Sequence, residues 1–250
     1  NREICRYLLK SRDLIDRADN QGLTALHLAV MFKENEIASD LIDAGATVLI
    51  KDKAGNLPIH TASFHGNAAI LGRLDKELNQ IELKNRGEYT PLHLAVLASR
   101  ERVTDRLLQM GATFDRISIS PKSLVWSAVR ACNNIKVMDR LLKAGLKLEA
   151  TDPEGRTLLL LAIDAWWRKT AHFLLERGSN IHAKDKWGQT ALFYAIDKGF
   201  VRLTKRLLNK GARIDLKDKK GVSPVDLAKK KGNDRILELL VQTQRKKREK

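Results

Sequence analysis

The chain has little of what would hold a scaffold together covalently or through metal. It contains two cysteines in 250 residues, Cys5 and Cys132, far apart and without companions at zinc or redox spacing. No disulfide framework follows, and both thiols are expected to be small buried hydrophobes in a reducing compartment. No apolar run approaches the roughly 18 residues that cross a bilayer; the densest, residues 158–163, is one buried helix face. No charged segment followed by an apolar one opens the chain at Asn1, so no secretory signal is visible in this sequence, which leaves open one removed beforehand. Glycine-rich phosphate loops, nucleophile elbows and paired zinc-type cysteines are also missing, which argues against phosphoryl transfer, acyl transfer and metal-assisted hydrolysis. The expectation is no enzyme, no metal and no cofactor.

What the chain has in excess is positive charge, at a net +16. Residues 1–125 carry 17 Lys and Arg against 16 Asp and Glu, whereas residues 126–250 carry 29 against 14. The basic field therefore belongs to the C-terminal half. It suits acidic proteins, phosphate backbones or anionic lipid, or else serves as a solubilising surface.

The other abundant feature is repetition. Segments opening at Asp19, Asp52, Asn85, Ser118, Asp152, Asp185 and Asp218 align at a spacing of 33 residues, with one of 34 after Ser118. The same register carries Ala29, Ala62, Ala95, Ala128, Ala162, Ala195 and Ala228, where two helices must approach closely. Each unit begins with Asp-x-x-Gly or a variant, a tight turn in which the side chain bonds its own backbone and glycine takes positive φ. Thr24, Thr90, Ser123, Thr157, Thr190 or Ser223 then caps a short helix. A second helix follows and stops at Gly45, Gly111, Gly145, Gly178 or Gly211, suited to a left-handed cap.

One turn and two helices in 33 residues resemble the ankyrin repeat, whose signature stands here as TALH from Thr24, LPIH from Leu57 and TPLH from Thr90. The resemblance implies an all-α repeat solenoid of stacked helix-turn-helix units with hairpin-like turns. Its units are 19–51, 52–84, 85–117, 118–151, 152–184, 185–217 and 218–242, preceded by a partial unit at 1–18 and followed by a basic tail at 243–250. Leu8 and Leu9 sit one period before Leu41 and Ile42, so the array is expected to extend N-terminally of Asn1. Departures fall at Glu88 and Pro121, which replace the turn glycine, at the extra residue near 131–134, and at Leu78, which replaces a capping glycine. Irregular stacking is expected there. The resemblance also implies that His27, His60 and His93 tie neighbouring turns together. From the fourth unit the position holds Trp126, Leu160, Phe193 and Asp226, so apolar packing must take over.

Stacked units share one core, and positions that vary between units lie on the concave side at turn tips and first-helix ends. The resemblance implies that partners bind there. The tips offer Arg156, Lys186, Trp187, Gln189, Lys219 and Lys220; the helix ends offer Phe32, Phe64, His65, Arg130, Asp164 and Lys198, with Met31, Leu97, Trp166 and Trp167 beside them. Trp187 is the main expected anchor, because tryptophan is enriched among residues that dominate binding energy. The alternative for its ring is to fold back on the adjacent tip. The expected function is an intracellular, cytoplasmic or nuclear module that binds an acidic or mixed-charge protein segment, with no small-molecule substrate. Two other readings stay open: nucleic-acid or anionic-lipid binding through the basic half, and a targeting arm of a larger multidomain protein or enzyme. The closing run from Arg245 suits a polar end-cap, an import signal or a membrane contact.

Overall fold

The computed structural model describes residues 12–75, 80–114 and 135–248. Expectations resting on Cys5, Leu8, Leu9, Leu78, Pro121, Ser123, Trp126, Ala128, Arg130 and Cys132 lie outside those residues. The architecture is an all-α repeat fold, with no strand among the described residues. Contacts divide the chain into two compact units; the described part of the first covers residues 12–114 and 136–144, that of the second mainly 145–248.

In the first unit, α1 (Arg12–Ile15) precedes the helix pairs α2 (Ala25–Met31) with α3 (Asn35–Asp43), α4 (Pro58–His65) with α5 (Leu71–Leu74), and α6 (Pro91–Leu97) with α7 (Glu101–Gln109). A 3-10 turn at Gln80–Glu82 follows α5, and α8 (Ile135–Lys143) closes the unit. The second unit has α9 (Leu158–Asp164) with α10 (Arg168–Glu176), α11 (Ala191–Asp197) with α12 (Val201–Asn209), and α13 (Pro224–Lys231) with α14 (Asp234–Arg248). Helix α14 runs unbroken into the basic segment, so residues 243–248 are helical.

The first helices are seven or eight residues long, too short to persist alone in water. They persist because they stack: α2 on α4 on α6, and α9 on α11 on α13. Their shared face buries Leu26, Ile59 and Leu92 in one unit, Leu159 and Leu192 in the other. Each such side chain contributes about 2 kcal/mol by leaving water. The recurring alanines Ala62, Ala95, Ala162, Ala195 and Ala228 are fully buried, where a larger side chain would push helices apart. Leu160 and Phe193 are buried as well, so apolar packing does replace histidine in the second unit.

The turns are closed as their sequence predicts. Asp52 Oδ1 accepts the amides of Ala54 and Asn56 at 2.8 and 2.7 Å, and Asp185 Oδ1 those of Trp187 and Gln189 at 2.8 Å each. Isolated bridges, Ala18 to Thr24 and Thr151 to Thr157, give two turns their hairpin character. Thr24, Thr90, Thr157 and Ser223 cap their helices through the side chain, whereas Thr190 makes no such bond. All five second-helix glycines, Gly45, Gly111, Gly145, Gly178 and Gly211, are left-handed.

Glu88 keeps the left-handed turn, at φ 68, that glycine adopts in the other tips. The turn is thus regular, and its cost is backbone strain of about 1 kcal/mol. The exposed Lys84–Glu88 pair, at 3.4 Å, returns little of it. Glu88→Gly is therefore expected to raise stability by about 0.5–1 kcal/mol, read as an increased urea midpoint at unchanged slope.

A second left-handed position lies between the two helices of each pair. Lys33, Gly66, Ser99, Trp166, Gly199 and Gly232 occupy it at φ between 55 and 84. Around each, the main chain bonds alike: Trp166 N donates to Ile163 O at 3.1 Å and Trp167 N to Ala162 O at 2.9 Å, as Gly199 N does to Ile196 O at 3.0 Å and Phe200 N to Ala195 O at 2.8 Å.

Candidate partner-binding face

The expected binding positions sit on tips that are zipped to one another by main chain. Lys53 N donates to Gln21 O at 2.9 Å and Arg86 N to Ala54 O at 3.1 Å in the first unit; Lys186 N donates to Glu154 O at 2.8 Å and Lys219 N to Trp187 O at 2.9 Å in the second. The side chains of Lys186, Trp187, Lys219 and Lys220 are left exposed. Trp187 is 42% exposed, and the Lys186 ammonium lies 4.6 Å from its ring centre. The ring is therefore partly covered, though by its own neighbour's cation.

Behind Trp187 lies a cleft of about 300 Å³ lined by Arg156, Asp164, Gln189, Tyr194 and Asp197. Its floor is an ion network. Arg156 reaches Asp152 Oδ2 at 2.7 Å and Asp164 Oδ2 at 3.0 Å, and Lys198 meets Asp164 Oδ1 at 2.9 Å. One period on, Lys231 meets Asp197 at 2.6 Å. Tyr194 donates to Asp185 Oδ2 at 2.8 Å, and its phenol pKa is pushed up by burial, then by that bond. Gln189 donates to Asp218 Oδ2 at 3.2 Å.

The structure thus brings together Arg156, Asp164, Trp187, Gln189 and Lys198. Three of them, Arg156, Asp164 and Lys198, already satisfy each other and shape the cleft instead of presenting free charge. The signal that would have shown this is present in sequence: Asp164 with Lys198 recurs as Asp197 with Lys231. Tyr194, missed in the sequence reading, had no motif to mark it.

In the first unit, Phe32 is 70% exposed and Phe64 is 47% exposed, while Leu97 is half-buried. The Phe64 ring stands edge-on to His65 at 5.3 Å, and Arg100 Nε donates to Phe64 O at 2.8 Å. Burial, then Arg100 and Lys33, holds His65 below its ordinary pKa.

The signature histidines do tie turns together. His27 Nε2 bonds Asn56 O at 3.1 Å in the next repeat, and His60 Nε2 bonds Leu83 O at 3.0 Å at the end of its own. On the other side, His27 Nδ1 faces the Thr24 amide and hydroxyl at 3.3 and 3.0 Å, and His60 Nδ1 accepts the Leu57 amide at 3.2 Å. Burial lowers both pKa values, that of His60 to about 4. These groups are structural in placement. Among the described residues, no cluster of three or more His, Cys, Asp or Glu could hold a metal ion, and no helix is long and apolar enough to cross a membrane.

The arrangement offers surface recognition: exposed tips above a polar cleft, beside the exposed Lys219 and Lys220 and beside Lys186, which meets Glu154 at 3.5 Å. Comparison with known proteins agrees with the architecture. A model of three ankyrin-repeat copies matches residues 165–250, and a single-repeat model matches residues 21–53. Human neurogenic locus notch homolog protein 1 is 29% identical over 163 residues, 64% of this chain and 6% of that protein. The nuclear factor NF-kappa-B p105 subunit of Gallus gallus is 28% identical over 184 residues, 70% of this chain and 19% of that protein. The mouse B-cell lymphoma 3 protein homolog is 30% identical over 158 residues, 61% and 35% respectively. The chain thus spans only a minor part of the length of these relatives. Among solved structures, the ankyrin repeat domain of Bcl-3, described as a unique member of the IkappaB protein family, superposes with a TM-score of 0.73 at 22% identity, covering 88% of this chain and 99% of that one. The human ASB11 ankyrin repeat domain gives 0.71 at 22% identity, covering 88% and 98%.

Proposed function

This chain carries ankyrin repeats, and from that premise we propose that it is a protein-protein interaction module that performs no catalysis and takes an acidic or mixed-charge protein segment on its concave face. The observation that carries the reading is Trp187, an exposed aromatic on a rigid tip at the rim of the Arg156–Asp164–Tyr194 cleft. A tip fixed by main-chain bonds loses little freedom on binding, so an aromatic there contributes affinity at low entropic cost. Lys186, Lys219 and Lys220 flank it and would steer an acidic partner, while the already neutralised Arg156, Asp164 and Lys198 would set the shape of the cleft. The location supported by this reading is intracellular, cytoplasmic or nuclear; one relative is named a nuclear factor.

The test is a salt-titrated pull-down from cell extract, with and without nuclease, comparing the parent chain with Trp187→Ala. The expected result is a discrete protein band that survives nuclease and moderate salt, with affinity reduced about tenfold or more in the variant. Binding that vanishes with nuclease and ignores Trp187 would show instead that the basic half contacts nucleic acid. Sedimentation with phosphatidylserine vesicles checks the lipid alternative in the same way.

A further inference from the structure

Trp166 stands at a left-handed position that glycine holds in three of the six described repeats and Lys33 and Ser99 in two others. Its equivalents in the following two repeats are Gly199 and Gly232, and the hydrogen bonds of the turn force φ 64 on whatever residue is there. A bulky side chain in the left-handed region is strained, and such strain persists where the surroundings over-determine it. The usual compensation, burial, is missing: Trp166 is 57% exposed. Its ring instead stands edge-on to Phe200, centroids 5.0 Å apart, while the Arg168 guanidinium lies 4.7 Å from the centre of that same ring. The pair borders a cleft of about 420 Å³ between α10 and α12, lined by Arg168, His172, Phe200, Arg202 and Leu203 among others.

The charge of this cleft has one sign. Arg168 and Arg202 are exposed, and no carboxylate is among its described lining residues. The nearby Arg206 is already committed to Glu176 and to His172 Nδ1, the latter at 3.1 Å. That bond uses the lone pair of neutral His172, whose pKa is held down by burial and then by Arg206. The exposed Trp166 ring and the half-buried Val201, beside the exposed guanidinium groups of Arg168 and Arg202, are complementary to a chain segment with carboxylates around one large apolar side chain.

We propose that the α10–α12 cleft, with Trp166 beside it, is a second docking site, for an acidic segment of another protein that lays one large apolar side chain against the exposed Trp166 ring and Val201. The site shares no lining residue with the Trp187 cleft, and its test is read separately from that of the tip face.

The test uses the full chain and synthetic dodecapeptides carrying a central Leu or Ala flanked by Glu or by Lys. Binding is followed by the indole N–H resonances, with Trp166 and Trp187 assigned by substitution. The Glu-flanked Leu peptide is expected to shift the Trp166 resonance, with affinity about tenfold above the Ala peptide, and the Lys-flanked peptides to leave it unmoved. Trp166→Gly should weaken that peptide about tenfold or more, with Tm staying within about 3 °C of the parent, since a relaxed backbone offsets the lost Phe200 contact. Trp166→Phe should keep most of the affinity. Unchanged affinity in Trp166→Gly, equal binding of Leu and Ala peptides, or no shift by any Glu-flanked peptide overturns the proposal. A shift of the Trp187 resonance alone would support the tip face and reject this site. Stronger Trp166-dependent binding of an oligonucleotide or of phosphatidylserine vesicles would reject the peptide as occupant.

Discussion

Lowering the pH from 7 to 4.5 destabilises the first unit well before the second. His60 is neutral in the folded state, with its pKa lowered to about 4 by burial, whereas the unfolded chain binds that proton near 6.5. Between those values the unfolded state holds more protons, so stability falls as the pH drops through 6.5 and is lost progressively down to about 4. The difference amounts to roughly 3 kcal/mol for His60 alone. His27 adds to it in the same direction. The geometry explains the sign: Nδ1 of each ring receives donors from Leu57 or Thr24, and a second ring proton would point at them. The second unit has buried Leu160 and Phe193 at this position, and its one histidine with a lowered pKa, His172, is only half-buried. Asp218 and Asp226, whose pKa values are lowered, carry stability that is present above about 3.8 and lost in a more acidic window. Urea titrations at pH 7, 6 and 5, with amide exchange reporting α2, α4 and α6 separately from α9, α11 and α13, check the expectation. His60→Gln should be less stable at pH 7 by about 1–2 kcal/mol yet show a flatter acid slope. A parallel slope would remove His60 as its source.

Gly55→Ala is expected to cost about 2–3 kcal/mol, the largest effect of any single methyl group at the tips. Gly55 sits at φ 79, and a Cβ there would meet Arg86 N at 2.8 Å and Arg86 Cγ at 2.7 Å. The side chain can move away; the amide cannot, because it is the donor to Ala54 O that joins two tips. Gly221, at φ 78 with open space around it, isolates the backbone term. Gly221→Ala should cost only about 1 kcal/mol. Equal losses in the two variants, measured by chemical denaturation, would mean that close approach between tips adds nothing beyond the left-handed penalty.

The repeat, its capping residues and its alanine ladder were legible because each obeys a local rule: a turn needs its Asp and Gly, a helix start its hydroxyl, and a crowded crossing its small residue. The histidine ties were implied by resemblance; His27 reaches Asn56 in the next repeat as implied, whereas His60 bonds Leu83 at the end of its own. Other features were hidden for physical reasons. Lys33, Ser99 and Trp166 adopt a glycine-like conformation because the local main-chain bonds of the interhelical turn impose it, and no side-chain type announces that. Arg156 and Asp164 looked available as separate surface charges, since pairing between a tip and a helix end depends on the stack. Trp166 was visible as a large residue near a helix end, but its strain and its contact with Phe200 emerge only in three dimensions.

The tip-to-tip hydrogen bonds run from amide to carbonyl, and their strength is indifferent to the side chains attached. Lys53 and Lys219 can therefore be exchanged without touching the bonds that align the repeats, whereas Arg86 Nη1 adds a side-chain bond to Lys53 O at 2.7 Å and Lys186 one to Glu154 at 3.5 Å. Specificity and architecture are inherited separately in such a chain: mutation can explore new partners at the tips while selection holds the scaffold fixed. A library randomised at these tip positions, with the turn Asp and Gly retained, would sample recognition with most of its members still folded.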